Sequence, residues 1–188
     1  MNNDKAETKE KALVNAWRDW ITTSVVESNQ FTHAVTLTMR KHIKHIAPTE
    51  GAWLPMRGGV VYESLTPTRA RNNFKRFINK LNDDIYKNAW KRHGKGALVV
   101  PILEGGDKDG EKHLHFHLAI GFPDRQLTTA QIENKIRTTW NRTPFGKFQT
   151  QIVVEEIYDA AGWMGYVQKS VDSEGRFYSL ETTKLPEK

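Results

Sequence analysis

The chain contains no cysteine. That absence excludes disulfide scaffolds, thiolate zinc sites and cysteine nucleophiles together. No apolar run approaches the ~18–20 residues that a membrane-spanning helix needs, so no membrane association is expected. Residues 1–11 (MNNDKAETKEK) are polar and lack the apolar stretch of a secretory signal. Export is therefore not expected, and a cytoplasmic location is. Internal repeats, low-complexity tracts and linkers are also missing from the 188 residues, so one domain covering 1–188 is expected. Hydrophobic residues make up 38% of the chain, enough for a core without metal or disulfide staples. Acidic residues are the minority charge: 22 Asp+Glu stand against 28 Lys+Arg, a net charge of +6. Such a balance favours a phosphate-rich partner, and nucleic acid is the commonest one.

Periodicity assigns most of the elements. An amphipathic helix is expected over 4–28, with Leu13, Ala16, Trp17, Trp20 and Ile21 on its apolar stripe. The β-branched stretch from Phe31 to Thr38 reads as a strand. Residues 39–66, punctuated by Pro48, Gly51, Pro55, Gly58 and Gly59, read as a long loop with a short strand at Val60-Val61-Tyr62. Thr66 and Pro67 then start a helix ending near Gly94. Phe74, Phe77, Ile78, Leu81 and Ile85 form its stripe. Its early turns carry Arg69, Arg71, Lys75 and Arg76, either a solvated face or a contact surface for DNA phosphates. Strands are expected over 96–104 (with Pro101 pointing to an edge or a bulge), 112–121 and 148–155. Thr128 and Gln131 make a capping box for a helix through Ile132, Ile136 and Trp140. A short helix over 160–170 and a polar tail over 171–188 complete the chain. The fold expected is α+β, with a central, mostly antiparallel sheet of about five strands flanked by helices.

The most informative stretch is His113-Leu-His-Phe-His117. Alternate residues of a strand share a face, so three imidazoles line one side while Leu114, Phe116 and Leu118 turn to a core. Neutral imidazoles held at fixed spacing suit a metal ion. A carboxylate would add hard oxygen character and favour Mg²⁺ or Mn²⁺. Glu104 is the best candidate: it ends the preceding strand, and a hairpin would set it beside His113 and His115. Only one of the two possible registers puts it on their face, and the loop between the strands does not choose.

A second signal is Gly162-Trp-Met-Gly-Tyr-Val-Gln-Lys169. Helical spacing sets Tyr166 and Lys169 on one face. A phenol with a pKa near 10 needs a nearby ammonium or metal to act as a nucleophile at neutral pH. Read alone, this pattern favours a core tyrosine and a solvated lysine, and it gains weight only beside the histidines. Trp53 and Arg57 are candidates for stacking on unpaired bases.

Three motifs in this order resemble the HUH endonuclease superfamily, especially single-tyrosine rolling-circle replication initiators. Val35-Thr-Leu-Thr38 is similar to their first strand motif, His115-Phe-His117 to their His-hydrophobe-His motif and Tyr166-Val-Gln-Lys169 to their Tyr-x-x-Lys motif. The resemblance spans about residues 31–170. It implies an RRM-like sheet, Mg²⁺ or Mn²⁺ held by the two motif histidines and a polar third residue, and single-stranded or hairpin origin DNA as substrate. It implies Tyr166 as nucleophile assisted by Lys169, a 5′-phosphotyrosine intermediate, and DNA contacts that on these motifs include Thr36 and Thr38. A prokaryotic host that supplies polymerase is the matching setting; no helicase motif follows, so either a host helicase supplies unwinding or this is the nuclease domain of a longer protein. His113 departs from the pattern, leaving 113/115 as an alternative to the 115/117 pair. His113-Leu-His-Phe-His117-Leu-Ala119 also resembles the histidine-triad nucleotide hydrolases, which implies His115 as a metal-independent nucleophile. A DNA-binding module without catalysis is the third reading.

Overall fold

The computed structural model describes residues 2–46, 60–105, 113–147, 151–169, 177–178 and 182–185. In chain order these hold α1 (Asn2–Ser28), β1 (His33–Thr38), β2 (His42–Ile46), β3 (Val60–Ser64), α2 (Pro67–Tyr86), α3 (Asn88–His93), β4 (Leu98–Glu104), β5 (His115–Gly121), α4 (Thr129–Trp140), β6 (Ile152–Glu156), α5 (Ala160–Lys169) and β7 (Phe177–Tyr178). The main sheet runs β6-β1-β5-β4-β7, with antiparallel pairing throughout. Its β1-α2-β4-β5-α4-β6 succession, with β1 and β5 in the middle, is the split β-α-β arrangement of RRM-like folds. Both crossover helices lie on one face of the sheet.

Strand alternation builds two cores from this one sheet. Val35 and Leu37 of β1, Val99 and Leu103 of β4, and Phe116, Leu118 and Ile120 of β5 pack against Phe74, Phe77 and Leu81 of α2 and Ile132, Ile136 and Trp140 of α4. The opposite face sends Leu98, Val100, Ile102 and Ala119 against Ile21 and Val25 of α1 and Met164 and Val167 of α5. The two strands that carry Glu104, His115 and His117 are therefore pinned from behind. Phe116, between the two histidines, stacks on Phe74 at 4.5 Å between ring centroids. Replacing Phe116 by alanine should cost about 3–5 kcal/mol of unfolding free energy, read from urea denaturation, because the site is closed on both sides and cannot collapse.

The local signals at the helix ends operate as read. Thr66 Oγ1 accepts from the Arg69 N–H at 3.3 Å and Pro67 occupies the first turn of α2. Thr128 and Gln131 form both bonds of the capping box. The Trp140 indole donates to the Thr38 carbonyl at 2.9 Å, tying the end of α4 to the end of β1.

Four expectations change. The helix after Thr66 does not continue to Gly94: Lys87 adopts φ 54°, which breaks it into α2 and the short α3, and Gly94 at φ 65° closes the latter. Residues 39–66 contain a two-stranded antiparallel ribbon, β2 paired with β3, rather than a loop with one short strand. Trp20 is 46% exposed, and α1 buries Ile21 and Val25. The tail returns to the sheet, with β7 beside β4 and Lys184 bridging Val99. That bridge explains Pro101. Val99 directs its N–H and carbonyl to Lys184, so Pro101, two residues on, directs its missing donor to that same side and the β4–β5 ladder loses nothing. Among the described residues no helix is long and apolar enough to cross a membrane.

A candidate metal centre on the sheet

The register left open by the sequence is settled by the β4–β5 pairing: Glu104 lies opposite His115, and Ile102 opposite His117. Directly paired residues share a face, so Glu104, His115 and His117 lie together on the side covered by α1 and α5. His117 Nε2 is 3.2 Å from Glu104 Oε2, and His115 Nε2 is 3.7 Å from it. The two Nε2 atoms are 3.1 Å apart, with the rings nearly perpendicular. One ligand atom from each residue falls within 4.8 Å of the others, and the three side chains are half-buried.

The outer ring nitrogens explain why these atoms converge. His115 Nδ1 lies 2.8 Å from the His113 carbonyl, which can only accept, so Nδ1 carries the proton and the neutral ring presents a lone pair at Nε2. His117 Nδ1 lies 3.0 Å from Thr36 Oγ1 on the adjacent strand. Histidines oriented from behind in this way are the usual support of a metal ligand. Two imidazole nitrogens and a carboxylate oxygen then meet at one point, close enough together to share a single cation. The residues fit a divalent ion. Thr36→Val keeps the shape but removes the hydroxyl. It should weaken Mn²⁺ binding by about 10–100-fold in calorimetry with the fold intact.

His113 does not join the cluster. Its side chain is exposed, and only its carbonyl takes part. The three histidines therefore form a pair plus a backbone support. Gly105 makes this close approach possible. It sits at φ 92°, and a Cβ there would collide with the His113 carbonyl.

The other candidate residues fall in three places. Thr36 and Thr38 share the metal face, but their hydroxyls are engaged, Thr36 with His117 and Thr38 with the Gln151 carbonyl at 2.8 Å. The α2 cations lie across the sheet from the metal ligands, and helical geometry splits them between flanks. Arg69 and Arg76 point one way, Arg71 and Lys75 the other. Arg69 is further tied to Glu63 at 2.6 Å. On the metal face, α5 packs through Met164 and Val167, and its Tyr166 is 66% exposed and without a hydrogen bond or ring contact among the described residues. Lys169 ends α5; its side chain, like Trp53 and Arg57, lies outside the described residues.

A second polar cluster sits at the other end of β1. His33 is buried, with Nδ1 2.8 Å from Thr32 Oγ1 and Nε2 3.4 Å from Thr129 Oγ1, and Thr129 donates to Glu156. Burial holds the His33 pKa below its ordinary value. Tyr158 bonds to Glu156 as well, and that carboxylate pushes the phenol's pKa up, the wrong direction for a nucleophile. Comparison of the chain with protein-family models, with curated proteins and with solved structures found no match.

Proposed function

We propose that this protein is a metal-dependent endonuclease that nicks and rejoins single-stranded DNA through a covalent 5′-phosphotyrosine, the step that starts rolling-circle replication. The observation that carries this reading is the convergence of Glu104, His115 and His117 on the sheet face on which α5 packs, a helix that also carries an exposed tyrosine. Met164 and Val167, on either side of Tyr166, pack with Ile102 and Ala119, each two residues from a metal ligand on its own strand. The nuclease reading implies Mn²⁺ or Mg²⁺, for which Glu104 supplies the hard oxygen donor. A bound divalent ion would polarise the scissile phosphate and offset the charge that builds on it.

The protein's own groups supply the rest. Tyr166 Oη attacks phosphorus and gives up its proton to solvent water. The P–O3′ bond breaks, and the 3′ oxygen takes a proton to become the free hydroxyl. The exposed position of Tyr166 lets a DNA strand reach it without rearranging the core. The Lys169 ammonium would stabilise negative charge on the phenolate or the phosphate. The reverse attack by a 3′ hydroxyl rejoins strands, while the same hydroxyl primes a host polymerase once a helicase opens the duplex. Incubation with a pool of single-stranded oligonucleotides should give a covalent adduct, stable in denaturing gels, in Mn²⁺ and none in EDTA. Equal adduct in both conditions, or cleavage without any adduct, contradicts the proposal.

A further inference from the structure

The β2–β3 ribbon has two unlike faces. Directly paired residues of an antiparallel ribbon share a face. Ile43 and Glu63 therefore lie on one side, while His42 with Ser64 and Lys44 with Tyr62 lie on the other. The first side is held to the body. Ile43 packs beside the main core, Glu63 pairs with Arg69, and Arg69 Nη1 donates to the Ser64 carbonyl at 2.8 Å. The ribbon's base is fixed as well, with Arg40 N–H bonded to the Phe145 carbonyl and Leu65 N–H to the Lys41 carbonyl.

The second side is bare. Tyr62 is 68% exposed, Val60 is 52% exposed and Lys44 opposite Tyr62 is exposed. No carboxylate shares this side among the described residues. An exposed aromatic ring beside a cation, with no anion near, is what a single-stranded nucleic acid needs: a platform for an unpaired base and a charge for its phosphate. The position fits too. Thr38, the last residue of β1, is paired with the ligand His115, and β2 begins at His42. Four residues of chain reach at most about 14 Å, so the ribbon starts beside the metal end of the sheet.

We propose that this outer face binds single-stranded DNA at the end of the sheet that carries the metal residues, with Tyr62 stacking on an unpaired base and Lys44 contacting an adjacent phosphate. The proposal rests on the nuclease reading for its choice of ligand, but it concerns binding and needs no metal.

Fluorescence anisotropy with a labelled oligothymidylate in EDTA tests it without cleavage. Tyr62→Ala should weaken binding by about 5–150-fold, the affinity equivalent of one stacked base, while Tyr62→Phe keeps the ring and the affinity. Lys44→Gln should lower the slope of log affinity against log salt by about 0.7, one phosphate contact. Wild-type affinity in Tyr62→Ala, with oligothymidylate bound, overturns the ribbon proposal and leaves the nuclease reading intact. Loss of binding in Tyr62→Ala while the wild type forms no adduct in Mn²⁺ supports the ribbon and contradicts the nuclease. A wild type that binds no oligothymidylate overturns the ribbon proposal, while the nuclease reading stands or falls on the adduct. Equal Tyr62-dependent affinity for a blunt duplex overturns the single-strand assignment. Binding to phosphatidylserine vesicles that depends on Tyr62, with oligothymidylate affinity unchanged in Tyr62→Ala, overturns it in favour of a lipid surface.

Discussion

Tyr166→Phe is expected to abolish the covalent protein–DNA adduct and the nicking that accompanies it. The substitution removes one oxygen from a ring that is mostly in solvent. It takes no atom from the buried side of α5, which is held by Met164 and Val167. Stability, Mn²⁺ affinity and oligonucleotide affinity should therefore stay at wild-type values, and only the chemistry should be lost. The other tyrosine near α5 makes a poor substitute. Tyr158 gives its hydroxyl to Glu156, which raises its pKa and disfavours the phenolate. Adduct yield on denaturing gels, compared at equal Mn²⁺, checks this. Persistent adduct in Tyr166→Phe would move the nucleophile elsewhere.

The second large effect is expected from His117→Ala. His117 lies at 3.1 Å from the His115 ring nitrogen and 3.2 Å from the Glu104 carboxylate, closer to both partners than those two are to each other. Its removal takes one of three donors and opens the point where they meet. Even groups that only orient ligands are worth about 10–100-fold, so Mn²⁺ affinity should fall by more than about 100-fold. Ligand linkage gives an independent readout. At Mn²⁺ one hundred times its dissociation constant, the wild type should gain about 2.7 kcal/mol of stability, a rise of about 5–10 °C in melting temperature. His117→Ala should gain almost none at that concentration. A substitution that leaves the thermal shift intact would remove His117 from the metal site.

Much of the scaffold behind these residues was legible in the chain. The alternation around Phe116 announces a strand with one face in a core, and the Thr66 and Thr128 caps announce where α2 and α4 begin, because capping is a local interaction. What the chain hid was nonlocal. Whether Glu104 faces the histidines depends on the β4–β5 register, which a turn of unspecified geometry does not encode. The β2–β3 ribbon has one bare face and so lacks the apolar alternation of a half-buried strand. Its flanking prolines and glycines read as loop. Lys87 breaks a helix with a left-handed backbone at a residue that carries no breaker signal. The α2 cations cluster in sequence but separate on the helix, and their sheet face is the one away from the metal ligands. Thr36 illustrates the remaining gap. Its position on β1 was readable, but its bond to His117 depends on the strand beside it.

The most direct test of the nuclease account is to map the adduct. Protein incubated with single-stranded DNA and Mn²⁺ is digested with nuclease and trypsin, and the modified peptide is sequenced by mass spectrometry. Cleavage after Lys147 and Lys169 releases residues 148–169, which carry both Tyr158 and Tyr166. Fragment ions should place the nucleotide phosphate on Tyr166, and the modified peptide should be missing when EDTA replaces Mn²⁺. A nucleotide on Tyr158, on a histidine, or on no residue at all would contradict the account.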